Sequence, residues 1–408
     1  MFTPKPCHEC GGDPVNHRIA FAEALLESAF RPIETADRHA ALRTSLRHTY
    51  DGIVNAYAPV VFSVLARVGL GDFTYEIDDR DFKFVTHCMW SAADARGIRL
   101  QQFRPFGMVK DVFIASYGRE TLVYERMPVP PGRGRGRPLI DDKDRLKQAL
   151  LAHALPVARG AACRSEQEAI DLFRTLRKPV IAKPHRGSGT RHTTLHINDE
   201  AELRHAFRVA RQLSPLVMIE EELRGHVYRP TVIDGKLIAT IRREPPTIAG
   251  DGKSTIAELI ARENEDPRRH GPVFSPIAIT PQVLKELAWQ HLSLEDIPRE
   301  GQTVRLHQKV NWGGGGTTTD VTLDVHPDNR ALFEQIAEIL QAPIVGIDFI
   351  AEDIGISWRE QELCGIIETN SMPFIDNHHL PFHGQPRDVA GAIWEMVFPD
   401  MPKLEKNS

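Results

Sequence analysis

The chain has 408 residues, 41% hydrophobic and 26% charged, with a net charge of −5 and a pI near 6.4. That length predicts about two or three domains around a sizeable core, and mild acidity gives no global drive toward nucleic acid or anionic membrane. The first ten residues, MFTPKPCHEC, hold no apolar stretch of the signal-peptide kind, and no run of about 18 apolar residues occurs, so a soluble, cytoplasmic protein is expected.

The five cysteines, Cys7, Cys10, Cys88, Cys163 and Cys364, are odd in number and scattered, a poor disulfide framework. Cys7-x-x-Cys10, with His8 and His17 near, offers zinc-type donors, but no second CxxC completes a four-ligand set, and a turn is the simpler reading. Residues 16–49 read as mostly helical, since Ile19, Phe21, Ala22, Leu25, Leu26 and Phe30 recur near helical spacing. Phe82 to Arg96 reads as a second helix ended by Gly97, and DVFIASYGRETLVYER (111–126) as a hairpin turning at Gly118-Arg119. PVPPGRGRGRP (128–138) is dense in proline and glycine. A basic run of this kind can touch nucleic acid, but as an isolated stretch it reads as a linker. It divides an N-terminal domain (1–130) from the remainder (141–402), with 131–140 as the linker itself.

Order resumes beyond it. Helices are predicted over 144–154, 199–213, 255–264, 329–341 and 389–398. Asp199 and Glu200 stand in a first turn, where carboxylates suit the helix dipole. Strands are predicted over 179–183, 217–220, 344–351 and 366–370, and residues 229–243 form two strands around the turn Asp234-Gly235. No internal repeat is present.

Two regions carry chemistry. KPHRGSGTRH (183–192) follows an apolar run, and Gly187 and Gly189 allow close backbone approach to a ligand while Lys183, Arg186 and Arg191 offer positive charge. The spacing matches neither GxxxxGK[ST] nor GxGxxG opening a helix, so by itself the stretch reads as a turn. Near the C-terminus VGIDFI ends around Asp348, and GIIETN carries Glu368 and Asn370 at i, i+2 on one strand face. On adjacent strands these would form a hard-oxygen set suited to Mg²⁺. Either strand alone reads as carboxylates capping loops. Two carboxylates inside apolar strands favour a metal, because an unpaired buried charge is expensive.

Taken in order, several stretches resemble the ATP-grasp ligases, and within them the ATP-grasp part of cyanophycin synthetase and of the bifunctional glutathione synthetases. They are DDKDRLKQALLAHALPVARG (141–160), KPVIAKP (178–184), VMIEEELRG (217–225), AGDGKSTIAELIARENEDPRR (249–269), NWGGGGTTTDVTLDVHPDN (311–329), VGIDFIA (345–351), GIIETNSMP (365–373) and GQPRDVAGAIWEMVFP (384–399). The resemblance covers about residues 140 to 400, whereas residues 1–130 match only in general character. It implies an α+β, ATP-grasp fold, in which two α+β subdomains grip ATP, beside an N-terminal α/β domain, with 180–225 as lid and hinge.

It also implies roles. Lys143 and Lys183 would contact the ATP phosphates, and Gly187, Ser188, Gly189 and Arg191 would cover them as a lid. Glu220 would accept a hydrogen bond from the adenine amino group, while Glu221 to Leu223 would give backbone contacts to the base. Asp348, Glu368 and Asn370 would hold magnesium, two ions being expected. Arg243 and Asn311 would lie near the transferred phosphoryl group, and Lys309 would take over an arginine's part, since HQKVNWG (307–313) stands where RRNANLS is usual. Three further departures stand out. Val227 occupies the place of a ribose-binding acid, which implies either looser ribose binding or substitution by His226. His192 occupies a glycine position. PFID (373–376) replaces PGFR, so that an arginine is lost and Asp376 is gained on the acceptor side.

His378, His379 and His383 are open to three readings: acceptor pocket, general base or surface loop. Trp289, Trp312 and Trp394 read as packing residues, Trp312 also as a pocket lining, and Cys364 as buried filler. The expected reaction is ATP-dependent joining of a carboxylate to an amine in a small molecule, with a phosphotransferase or a non-catalytic nucleotide-binding module as the alternatives. Expected partners are a small-molecule carboxylate and amine, an amino acid or peptide, with no nucleic acid or membrane and with a homo-oligomer allowed. No Mur-ligase-like half or glutamate–cysteine ligase domain is recognisable, so cyanophycin polymerisation is not expected.

Overall fold

The computed structural model describes residues 7, 15–34, 40–77, 82–109, 111–133, 140, 143–185, 191–307 and 314–402. The chain begins with α1 (His17–Glu34), α2 (Ala40–Arg67), β1 (Gly71–Thr74), α3 (Phe84–Asp94), β2 (Arg99–Pro105), β3 (Val112–Tyr117) and β4 (Glu120–Glu125). It continues through α4 (Lys143–Ala152), β5 (Gly160–Cys163), α5 (Glu166–Thr175), β6 (Val180–Pro184), β7 (Thr194–Ile197), α6 (Glu200–Arg211) and β8 (Val217–Glu221). Then come β9 (His226–Ile233), β10 (Lys236–Glu244), β11 (Thr247–Ala249), α7 (Ile256–Glu263), α8 (Pro281–Trp289), β12 (Thr303–Arg305) and β13 (Thr317–Asp320). The last elements are α9 (Pro327–Leu340), β14 (Ile344–Ala351), β15 (Gly365–Asn370), α10 (Asp376–His379) and α11 (Val389–Val397).

Local chemistry accounts for the helix ends. Asp199 is the N-cap of α6 rather than part of its first turn, and its side chain accepts from the amides of Ala201 and Glu202 at 2.8 and 2.9 Å. Glu200 and Glu202 follow at the positive end of the dipole, and Arg208 and Arg211 close the negative end. Thr255 and Glu258 form a reciprocal capping box on α7. The single helical region predicted over 16–49 is divided between α1 and α2, and α2 runs on to Arg67.

Among the described residues the strands form four antiparallel sheets, ordered β1-β2-β3-β4, β5-β8-β6-β7, β11-β12 and β13-β10-β9-β14-β15. In the last, period-2 alternation divides β14. Val345, Ile347 and Phe349 join Phe333, Ile336 and Leu340 of α9 in one apolar core. Asp348, between two of them, is left for the opposite face. A second core crosses the proline- and glycine-rich stretch. Met89 and Ala93 of α3 and Phe113 and Tyr124 of the first sheet pack with Ile393 and Trp394 of α11. Trp394 is fully buried, and its indole nitrogen donates to the carbonyl of Met89 at 2.8 Å.

One irregularity decides where the site's side chains point. Asp348 lies opposite Glu368, but Phe349 lies opposite Ile366, so a bulge adds one residue to β15 between them. Ile366 enters the core beneath α9. Without the bulge Glu368, two residues on, would follow it there. With the bulge Glu368 stands beside Asp348.

Candidate active site

Two strands and one helix assemble the first half of the site. Lys143 and Lys147 lie one turn apart on α4 and so share a helix face. Ile181 of β6 is opposite Glu220 of β8, which makes Lys183 and Glu220 diagonal neighbours on one sheet face. Both lysines converge on the buried Glu220. Lys183 Nζ stands 2.5 Å from Oε2, and Lys147 Nζ donates to Oε1. Burial pushes the Glu220 carboxyl upward, but the charges of Lys183 and Lys147 outweigh it and hold the group at about 2.

The second half is built on β9, β10, β14 and β15. Arg229 grips both oxygens of Asp348, its Nη2 reaching Oδ2 at 2.8 Å while its Nε donates to Oδ1. Such a bidentate pair fixes orientation as well as charge. Arg243 Nη1 approaches Asp348 Oδ2 at 3.5 Å, and Lys143 Nζ approaches Glu368 Oε2 at 3.5 Å. Burial pushes Asp348 up, but Arg229 and Arg243 more than reverse this and keep it below the ordinary carboxylate range. Burial, reinforced by Arg229, lowers Arg243 to about 10 against the pull of Asp348. Among the described residues five cations thus meet three carboxylates in a largely buried space. Such a concentration of cations suits a polyphosphate.

The expected residues divide as follows. Lys143, Lys183, Glu220, Arg243, Asp348 and Glu368 are joined by these contacts, and Asn370 follows Glu368 on β15. Gly187, Ser188, Gly189, Lys309 and Asn311 lie outside the described residues, as do Trp312, His8 and Cys10. Arg191, of the same stretch, is among the described residues. Both oxygens of Glu220 are engaged by lysines, so a bond to an adenine amino group would have to share or displace one of them. In the hinge the amides of Glu221 and Glu222 already donate to the carbonyls of Arg159 and Pro179 at 2.8 and 3.0 Å. Backbone contact to a base therefore falls to carbonyl oxygens and to Leu223.

Lys147 and Arg229 were not singled out from the sequence. The signal for Lys147 was its i+4 spacing from Lys143. Arg229 is a lone charge inside an apolar strand, a pattern that has meaning only once Asp348 is known to lie across the sheet.

Asp348, Glu368 and Asn370 can be tested as a magnesium set by their chemistry. All three can present hard oxygens, Asp348 and Glu368 lie opposite each other in register, and the buried Asn370 amide nitrogen has no hydrogen-bond partner among the described residues. The donor set fits the ion, which would share Asp348 with Arg229.

Around this centre the remaining expectations meet mixed outcomes. His378 is buried with Nε2 2.8 Å from the hydroxyl of Thr231, and burial, with Arg229 nearby, lowers it to about 3, so it is neutral at physiological pH. His379 Nε2 accepts from the amide of Ala390 at 3.0 Å, and His383 is exposed. The three histidines are therefore not one functional cluster. Asp376 is raised by burial to about 6. The packing role expected for tryptophan holds for Trp394 and fails for Trp289, which is 60% exposed. Trp289 falls off the face of α8 that buries Val283 and Leu287, and its ring instead stacks on His196 at 6.3 Å. Cys364 is buried, its thiol donating to the carbonyl of Trp358.

The fold is that of the ATP-grasp ligases. The structure is similar to a bifunctional glutathione synthetase from Pasteurella multocida, with a TM-score of 0.60 at 22% identity, over 80% of this chain and 45% of that one. In sequence the chain is 34% identical over 271 residues to a cyanophycin synthetase of Trichormus variabilis, which covers 65% of this chain and 30% of the relative. It is 28% identical over 277 residues to a glutathione biosynthesis bifunctional protein of Mannheimia succiniciproducens, 64% of this chain and 36% of that protein. The chain thus spans about a third of the length of these curated relatives. No family model matches it. Among the described residues no helix is long and apolar enough to cross a membrane.

Proposed function

We propose that this chain is an ATP-dependent carboxylate–amine ligase acting on small molecules, an amino acid or peptide among them. The observation that carries the reading is the convergence of Lys143, Lys147, Lys183, Arg229 and Arg243 on the buried Glu220 and Asp348 and the half-buried Glu368. Cations gathered in this way suit a substrate that brings its own negative charge. In the proposed reaction a substrate carboxylate attacks the γ-phosphorus of ATP and ADP leaves. An amine nitrogen then attacks the acyl carbon of the acyl phosphate, phosphate leaves with the electron pair of the single bond between that carbon and the bridging oxygen, and the nitrogen loses a proton.

The chain's own residues mainly position and screen. Lys147 and Lys183, anchored by Glu220, present ammonium groups to phosphate oxygens at no reorganisation cost. Arg243, with its nitrogen near Asp348, offsets charge that builds on the transferred group. Arg191, at the end of the glycine-rich stretch, belongs to the lid that excludes water, together with Gly187, Ser188 and Gly189. Asn311 and Lys309 are assigned to the same phosphoryl surroundings. Asp348, Glu368 and Asn370 would hold Mg²⁺, which when bound supplies charge neutralisation between the phosphates. Glu221 and Leu223 border the base. Residues 1–130 and the loop around Asp376 are assigned to the acceptor side.

The test is release of ADP and phosphate from Mg-ATP across pooled amino acids and dipeptides, with mass spectrometry of the products. Turnover that needs both a carboxylate and an amine, with a product lighter by one water than their sum, establishes the ligase. A phosphorylated product formed without an amine would instead identify a phosphotransferase. ATP binding with no turnover over a broad substrate set would favour a binding module.

A further inference from the structure

We infer that Cys7, His17 and His192 form a site for one divalent metal ion of zinc's chemistry, separate from the oxygen-rich set around Asp348. Cys7 and His17 stand near the start of the chain and His192 far along it, yet their ligand atoms all lie within 4.8 Å of one another. Cys7 Sγ is 3.6 Å from His192 Nε2. A tetrahedral zinc ion with Zn–S about 2.3 Å and Zn–N about 2.0–2.1 Å would hold its sulfur and nitrogen ligands about 3.6 Å apart. The rings of His17 and His192 meet edge to face, with centroids 4.7 Å apart.

The surroundings of His192 prepare it as a ligand. Its Nδ1 lies 2.8 Å from the carbonyl oxygen of Val209 on α6. A carbonyl can only accept, so Nδ1 carries the proton and Nε2 turns a lone pair toward Cys7. An outer hydrogen bond that fixes the tautomer in this way is the usual support of a metal-bound histidine. His192 is also fully buried with φ +51. That is a left-handed conformation which side chains seldom adopt and glycine takes at no cost. A backbone suited to glycine therefore carries an imidazole aimed at a thiol.

A plain thiol–imidazole hydrogen bond would engage Cys7 and His192 alone, whereas one metal ion would engage the ligand atoms of all three residues. One thiolate and two neutral imidazoles form a borderline-soft set that selects zinc over magnesium, with a fourth position open to water or a further side chain. His192 immediately follows Arg191, so the ion would tie residue 7 and the start of α1 to the C-terminal end of the glycine-rich stretch. This inference does not rest on the ligase reading.

The experiment is metal analysis of the untagged full chain, prepared without chelator, followed by replacement with Co²⁺ and absorption spectroscopy. About one zinc per chain is expected, together with a thiolate-to-cobalt band in the near ultraviolet. Cys7→Ser and His17→Gln should each lower zinc occupancy at least about tenfold while leaving the far-ultraviolet circular dichroism unchanged. Neither substitution disturbs a buried backbone contact, so loss of the fold in His192 variants would not obscure the result. Three results would each overturn the site: no zinc even after loading, a cobalt spectrum without the thiolate band, or full occupancy retained in Cys7→Ser.

Discussion

Glu220 shows how much a single buried carboxylate can organise. Its acidity, held at about 2 against an ordinary 4.5, expresses its preference for Lys183 and Lys147 over water. The folded group has the depressed value, so its contribution to stability is fully present above about pH 4.5 and is lost as pH falls toward 2. The size is roughly 3 kcal/mol by linkage. Glu220→Gln should lack this component: the stability difference between wild type and variant, measured by urea unfolding from pH 6 to pH 2.5, should shrink on acidification. A difference independent of pH would show that Glu220 does not hold the lysines by charge. Asp348 is the corresponding group in the proposed reaction. Asp348→Asn keeps the shape but leaves Arg229 and Arg243 with less counter-charge, and the kcat of whichever carboxylate–amine pair turns over should fall about 100-fold or more. Activity within threefold of wild type would remove Asp348 from the reaction. At this scale the sequence was partly legible. Asp348 and Glu368 stood out because charge inside apolar strands is costly, whereas Arg229 did not, because its reason for being there lies across the sheet.

At the scale of elements the turn between β8 and β9 is closely packed against β14. Gly225 has φ +115, and a Cβ there would fall 2.1 Å from the carbonyl oxygen of Ala351 on β14. Gly225→Ala should therefore cost at least about 2 kcal/mol, combining backbone strain with displacement of β14. Equilibrium unfolding with an unchanged midpoint would contradict this. Elements with strong periodicity and caps, such as α6 and α7, and the hairpin of β3 and β4, stand close to where the pattern places them. Short strands such as β5, β7, β11 and β13 offered too few residues for alternation to register. The bulge in β15 left no trace in GIIETN, since an extra residue changes the facing of a side chain and not its identity.

The whole molecule is closed by α11. Trp394 is wholly buried against α3 and the first sheet, although it is far from both in sequence, its bond to Met89 having a separation of 305. Trp394→Ala should destabilise the protein by about 3–5 kcal/mol and should loosen β2–β4 along with α11. Hydrogen exchange of the amides in residues 99–125 is the direct check. Protection there unchanged in the variant would mean that the first sheet does not depend on this core. The apolar sequence of residues 389–398 predicts a helix, but only the tertiary packing shows that it completes a core begun near residue 82.

What the sequence determined by itself was the class of chemistry: a basic glycine-rich stretch and strand-borne oxygen ligands, in an order that resembles the ATP-grasp ligases. Local propensity, capping and charge act over a few residues, and a linear reading captures them. The tertiary structure alone decided which charges neutralise one another. It joined Lys147 and Lys183 through Glu220, set Arg229 upon Asp348, turned Glu368 out of the core through a single bulge, and brought Cys7, His17 and His192 within one ion's reach. Each of these depends on register and on contacts between distant segments, where the free energy of pairing a buried charge or donor outweighs any local preference.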